Sequence, residues 1–171
     1  MTGGAGYVGS HTVIELLNAG KRVIVLDNLY NASYEAVRRI RKLTAISFPF
    51  YKVDILDKEG LDMVFSSHNI SSVIHFAGLK AVGESARIPL DYYYVNITGT
   101  VTLLQVMKKH GCKNIVFSSS ATVYGEAPII PIPETCPTTS TKPYGRTKLF
   151  IEHIIREVCT ADPSWNAVLL R

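Results

Sequence analysis

Short apolar runs rich in Val and Ile alternate along the chain with longer amphipathic stretches. Residues 23–26, 50–53, 72–75, 114–117 and 167–170 are nearly continuous in apolar character, the pattern of strands buried on both faces. Between them the apolar positions recur at helical spacing over 11–18, 33–43, 58–67, 89–110 and 143–159. Ser33 and Asp57 stand where N-caps belong, and Gly20 and Gly111 where helices close. Buried strands joined by helices predict an α/β fold, a doubly wound parallel sheet. The rhythm fails at 121–142, where Pro128, Pro131, Pro133 and Pro137 punctuate a segment with little helix or strand signal. A loop of that length inside a compact unit points to function.

Composition sharpens this picture. The chain has 171 residues, 47% hydrophobic and 19% charged, which excludes disorder as the main state and suits one domain over 1–171. No apolar run approaches the roughly 20 residues that span a bilayer. A net charge of +4, spread along the chain, gives no nucleic-acid or membrane footprint. The basic cluster 38–42 reads as a solvated helix face. Cys112, Cys136 and Cys159 are far apart and show no metal-ligand spacing, so we expect reduced thiols and no metal. The opening Met1-Thr2-Gly3-Gly4 has neither the basic nor the apolar part of a signal peptide, and the expected location is cytoplasmic.

The first candidate chemistry lies at the start. Gly4, Gly6 and Gly9 fit G-x-G-x-x-G, and Gly3, Gly6 and Gly9 fit a related G-x-x-G-x-x-G. Glycines allow a tight turn and let backbone N–H groups approach a pyrophosphate at a helix N-terminus. Roughly 20 residues beyond, the run 23–26 ends in Asp27, where an acid binds the ribose hydroxyls of a dinucleotide. Asp27 would repel a 2′-phosphate, favouring NAD over NADP. Such a motif follows a strand in a Rossmann-type sheet, yet only Met1 and Thr2 precede it. The sheet is therefore expected to lack its first strand.

The second candidate is Tyr144 with Lys148, one helical turn apart and on one face. A phenol has a pKa of about 10 and is a poor base near neutrality. A nearby cation, from Lys148 or an oxidised nicotinamide, favours the phenolate. Tyr-x-x-x-Lys is weak evidence alone, but here it follows a strand ending in Ser118-Ser119-Ser120, and a Ser at the C-terminal end of a parallel strand faces the ligand crevice. Other suggestive residues carry plainer readings. His75 is expected to be a hydrogen-bonded core residue. Tyr92, Tyr93 and Tyr94 read as helix packing, and His153 with Glu157 as an exposed pair.

Together these motifs resemble the extended short-chain dehydrogenase/reductase superfamily and, within it, the UDP-glucose 4-epimerase family, with a fungal-type character. The resembling stretches are 2–11, 27–29, 53–55, 75–85, 94–96, 117–125 and 143–148. The run His-Phe-Ala-Gly-Leu-Lys-Ala-Val-Gly-Glu-Ser at 75–85 is the most specific. The resemblance implies interconversion of UDP-glucose and UDP-galactose through a 4-keto intermediate. In that scheme Tyr144 is the base, Ser120 shares the sugar oxygen, and Lys148 holds the nicotinamide ribose. Gly3, Gly6, Tyr7, Val8 and Gly9 would contact the pyrophosphate. Asp27, Asn28 and Asn31 would surround the ribose, and Asp54 and Ile55 the adenine. Phe76, Ala77, Gly78, Lys80 and Asn96 would line the middle of the cofactor crevice. Lys80, Ser120, Ala121, Thr122 and Tyr144 would meet the substrate. It further implies that the chain is a fragment without its substrate domain and inactive alone, and that the intact enzyme is a homodimer.

Two other readings stay open. A 4,6-dehydratase of the same superfamily typically carries an Asp-Glu pair where this chain has Ala121 and Thr122. A non-catalytic NAD-binding module usually loses Tyr or Lys of the pair, and both are present here.

Overall fold

The computed structural model describes all 171 residues. Its strands are β1 (Val25–Asp27), β2 (Phe50–Lys52), β3 (Val73–His75), β4 (Asn114–Ser118) and β5 (Asn166–Leu170). β1 pairs with β2, β3 with β4, and β4 with β5, all parallel.

Between β1 and β3 lies Thr2, bridged in parallel to Leu26 on one side and His75 on the other. The expectation of a missing first strand is thereby corrected. A parallel ladder needs few groups here. The Leu26 N–H donates to the Met1 carbonyl and the Gly3 N–H to the Leu26 carbonyl, both at 2.8 Å. On the other side the Thr2 N–H donates to Ile74 and the Phe76 N–H to the Thr2 carbonyl, both at 3.1 Å. The order is β2-β1-(Thr2)-β3-β4-β5, a Rossmann-like arrangement of parallel strands.

The helices are α1 (Tyr7–Asn18), α2 (Tyr34–Thr44), α3 (Lys58–Ser67), α4 (Val82–Arg87), α5 (Pro89–Tyr93), α6 (Gly99–Lys109) and α7 (Pro143–Ala161). Adjacent strand residues point to opposite faces, so Val25 joins one core with Val13 and Leu17 of α1 and Val37 and Ile40 of α2. Leu26 joins the other, with Leu61 of α3, Leu103 of α6 and Ile151 of α7. Strand order reverses direction at Thr2. Right-handed crossovers therefore put α1 and α2 on one face and α3, α6 and α7 on the other. The crevice of such a sheet opens at that reversal, beyond the carboxyl ends of the strands.

Side-chain caps open two of the helices, α2 and α3. The Ser33 hydroxyl accepts from the Glu35 N–H at 3.2 Å, and the Asp57 carboxylate from the Gly60 N–H at 2.9 Å. α1 begins at Tyr7, earlier than apolar periodicity indicates, because Gly6 caps it and its first turn faces outward. The single helix expected over 89–110 is broken. α5 runs into a π-turn (Tyr94–Thr98) before α6, and α4 precedes it unforeseen. Residues 125–142 carry no helix or strand. No helix is long and apolar enough to cross a membrane.

Candidate active site

The glycine loop runs from Thr2 to the start of α1. The first N–H groups of a helix lack intrahelical partners, so those at Tyr7, Val8 and Gly9 are free to meet an anion. Gly3 has φ +69°, and a Cβ there would sit 2.6 Å from the Ala77 nitrogen. A Cβ on Gly9 would run into the Gly3 carbonyl. The loop, α1 and the segment after β3 thus touch backbone to backbone, which suits a cradle for a pyrophosphate.

The crevice above this cradle is lined by Gly3, Gly6, Tyr7, Val8, Gly9, Asp27, Asn28, Asn31, Ile55, Phe76, Ala77, Gly78 and Lys80, all picked out from the sequence. Leu26, Tyr30, Val53, Leu79 and Val95 complete the wall and were missed. Their signal was adjacency alone: each neighbours a polar or glycine position already chosen.

Asp27 is buried at the end of β1. One carboxylate oxygen accepts from the Ala5 N–H at 3.0 Å and the other from the Leu29 N–H at 2.9 Å. It therefore holds the glycine loop and the following turn, and each oxygen keeps a lone pair for a further donor. The Asn28 amide donates to Asp54 at 2.7 Å. Asp54 stands outside the lining and fixes Asn28 within it.

Asn96 also lies behind the wall. The π-turn turns it inward, and its side chain is buried. Its carbonyl accepts from the Leu79 N–H at 2.8 Å, and its amide donates to the Leu79 carbonyl and the Thr147 hydroxyl, each at 3.0 Å. It ties the crevice wall to α7.

α7 opens with Pro143 and presents Tyr144 and Lys148 to the end of β4. Ser120 caps a 3₁₀ turn (Ala121–Tyr124), and its hydroxyl accepts from the Thr122 N–H at 3.1 Å and the Thr122 hydroxyl at 2.9 Å. Burial pushes the Tyr144 phenol above its ordinary pKa, and the neighbouring Ser120 hydroxyl pulls the other way. Lys148 is buried and donates to the Ser118 carbonyl at 2.8 Å, with its ammonium 4.8 Å from the Phe117 ring centroid and 5.9 Å from that of Tyr144. Burial brings its pKa down to about 8. Burial thus drives the two proton affinities apart, the phenol's up and the ammonium's down, the separation that lets one group serve as proton donor beside another.

Tyr92, read as packing, does pack, but against the site: its ring meets that of Tyr144 edge-on at 6.4 Å. Its hydroxyl donates to Glu84 at 2.7 Å and accepts from the Ala81 N–H at 2.9 Å. Burial, then Glu84, push its pKa up to about 12, so it stays protonated and does not compete as a base. Ala121 is exposed and Thr122 half-buried beside Ser120. His75 is buried between the Thr2 and Thr100 hydroxyls, as a core residue should be. His153 and Glu157 are exposed.

The family model for "NAD dependent epimerase/dehydratase family" matches residues 1–171. A UDP-glucose 4-epimerase of Dictyostelium discoideum is 55% identical over 171 residues, which are 100% of this chain and 50% of that protein. One of Bacillus subtilis is 56% identical with the same coverage. The "Bifunctional protein gal10" of Schizosaccharomyces pombe is 55% identical, with 100% of this chain covering 24% of it. Identity this even across amoeba, bacterium and yeast does not single out a fungal type. The crystal structure of UDP-glucose 4-epimerase from Bifidobacterium longum in complex with NAD+ and UDP superposes with a TM-score of 0.98 at 53% identity, over 99% of this chain and 51% of that one. The chain spans about half the length of the monofunctional relatives it matches, and about a quarter of the bifunctional one.

Proposed function

The chain belongs to the NAD dependent epimerase/dehydratase family, and from that we propose that it is the cofactor-binding and catalytic part of an enzyme interconverting UDP-glucose and UDP-galactose. The observation that carries this reading is the meeting of Ser120, Tyr144 and Lys148 at the end of β4, at the same carboxyl edge of the sheet as the glycine cradle and Asp27.

The residues present fit NAD. Gly3 and Gly9 leave no room for side chains between loop, helix and wall, so backbone N–H groups can close on a pyrophosphate. Asp27 has lone pairs for ribose hydroxyls and would repel a 2′-phosphate. When bound, NAD supplies the reversible hydride acceptor for C4 of the hexose. Tyr144 takes the O4 proton as the alcohol becomes a ketone, and returns it when the opposite face is reduced. Ser120 donates to the same oxygen in both directions. Lys148, held at Ser118, keeps a positive charge near the phenolate. Between the two half-reactions the keto sugar must turn over, so binding energy has to come mainly from the nucleotide.

Ala121 and Thr122 lie where elimination of water would need an acid pair, which favours epimerisation over dehydration. The test is to incubate the full-length protein carrying this chain with UDP-galactose and no added cofactor. UDP-glucose should accumulate to equilibrium while NAD stays protein-bound. A 4-keto-6-deoxy product would assign the site to a dehydratase instead, and retained NAD without turnover would assign it to a binding module.

A further inference from the structure

Glu152 is fully buried on α7, two turns beyond Tyr144 and one beyond Lys148, in the same stripe. A buried carboxylate persists only when its oxygens are fully engaged. One oxygen accepts from the Ser119 hydroxyl at 2.5 Å and from Arg171 Nε at 2.9 Å. The other accepts from Arg171 at 2.6 Å and from Arg156 at 2.9 Å. Burial pushes this carboxyl up, but Arg171, Ser119 and Arg156 together hold it below its ordinary range, so it is ionised.

What Glu152 grips is the segment that presents Ser120. Ser119 precedes Ser120 directly. Arg171 also donates to the Tyr124 hydroxyl at 3.0 Å and stacks on its ring at 5.0 Å, and Tyr124 ends the 3₁₀ turn that Ser120 caps. One carboxylate thus fixes the turn at both ends. Along α7, Lys148 holds Ser118, Glu152 holds Ser119, and Tyr144 stands beside Ser120. Three successive turns of the helix meet three successive residues at the end of β4.

We propose that Ser119 and Glu152 are positioning residues that set the Ser120 hydroxyl against Tyr144. The inference rests on the proposed reaction, so its test is built to fail separately. In the full-length protein, Ser119→Ala removes one hydroxyl, changes no charge and leaves the substrate contacts in place. It should lower kcat about tenfold, the scale of a sub-ångström misplacement, with KM and bound NAD unchanged and Tm lowered but the fold kept, because the buried carboxylate loses one donor and retains both arginines. In a Ser120→Ala background the same substitution should change kcat by less than about twofold, because Ser119 acts only through Ser120. An unaltered kcat in Ser119→Ala, effects that multiply in the double variant, or a loss of rate no larger than the fraction of protein unfolded or depleted of NAD at the assay temperature would each overturn the proposal. Normal rates in both Ser120→Ala and Tyr144→Phe would instead sink the proposed catalytic reading.

Discussion

The Lys148 ammonium donates to the carbonyl of Ser118 and stands 5.9 Å from the centroid of the Tyr144 ring, rather than bonding its hydroxyl. Its influence on the phenol is therefore that of a held charge. Burial works against the phenolate and the Ser120 hydroxyl favours it; on the function proposed above, the held cation would favour it as well.

Lys148→Met tests this. The charge is lost and the helix face keeps its bulk. Turnover of the full-length enzyme should fall by about 10²-fold or more, within the range for general acid–base groups. The acid limb of its kcat profile should move to higher pH, because Tyr144 then binds its proton more tightly. A slow variant with an unmoved limb would show that Lys148 serves another step.

Asn96 should matter to both stability and cofactor retention. Replacing it with Ala strands the Leu79 N–H and carbonyl, in a wall that touches the crevice. An unpaired polar group costs about 1–3 kcal/mol where water cannot reach it, and the half-buried Leu79 beside the crevice puts each group at the lower end of that range. Asn96→Ala should therefore lose about 2–4 kcal/mol in denaturant unfolding and release NAD on gel filtration. A stable variant that keeps its cofactor would show that the clamp is dispensable.

The glycines allow crowding to be separated from backbone strain. Gly3 and Gly20 both have φ +69°, but a Cβ on Gly3 meets the Ala77 backbone, whereas one on Gly20 meets nothing within 4 Å. Each Ala substitution should cost about 1–2 kcal/mol of conformational strain. Only Gly3→Ala should also abolish NAD binding, read as the cofactor content of purified protein. Equal loss from both would remove the cradle argument.

Much of this was legible locally. The glycine spacing, Asp27, the Ser33 and Asp57 caps and the Tyr144/Lys148 pair are short-range patterns whose meaning does not depend on the rest of the chain. What escaped depends on distant partners. Two residues cannot show strand alternation, so the role of Thr2 emerged only from its bonds to Ile74 and Phe76 and its bridge to Leu26. The π-turn exists where Asn96 reaches back to Leu79. Glu152 carries no signal in the sequence, because its partners Arg171, Arg156 and Ser119 are brought to it only by the fold.

His75 should give the protein a specific acid sensitivity. The single hydroxyl proton of Thr100 is committed to the main-chain carbonyl of Asn96 at 2.6 Å, so Thr100 can only accept from His75 Nε2, at 2.9 Å. Nδ1 then accepts from the Thr2 hydroxyl at 2.6 Å. Inferred from these partners, the ring is the neutral Nε2–H tautomer, fully paired. Burial, with the charge of Lys148 adding to it, brings its pKa down to about 3. In the unfolded chain an ordinary His titrates near 6.5. Between those values the unfolded state holds a proton that the folded state refuses, so stability falls as pH drops from about 6.5 towards 3. The slope from this one group is about 1.4 kcal/mol per pH unit, so acidifying from neutrality to pH 5 should cost about 2 kcal/mol. Denaturant unfolding of the full-length protein at the two pH values measures the total loss. His75→Gln should be less stable at neutrality, yet lose about 2 kcal/mol less on acidification. If wild type and variant lose the same amount, the acid sensitivity lies in other groups and His75 is not its source.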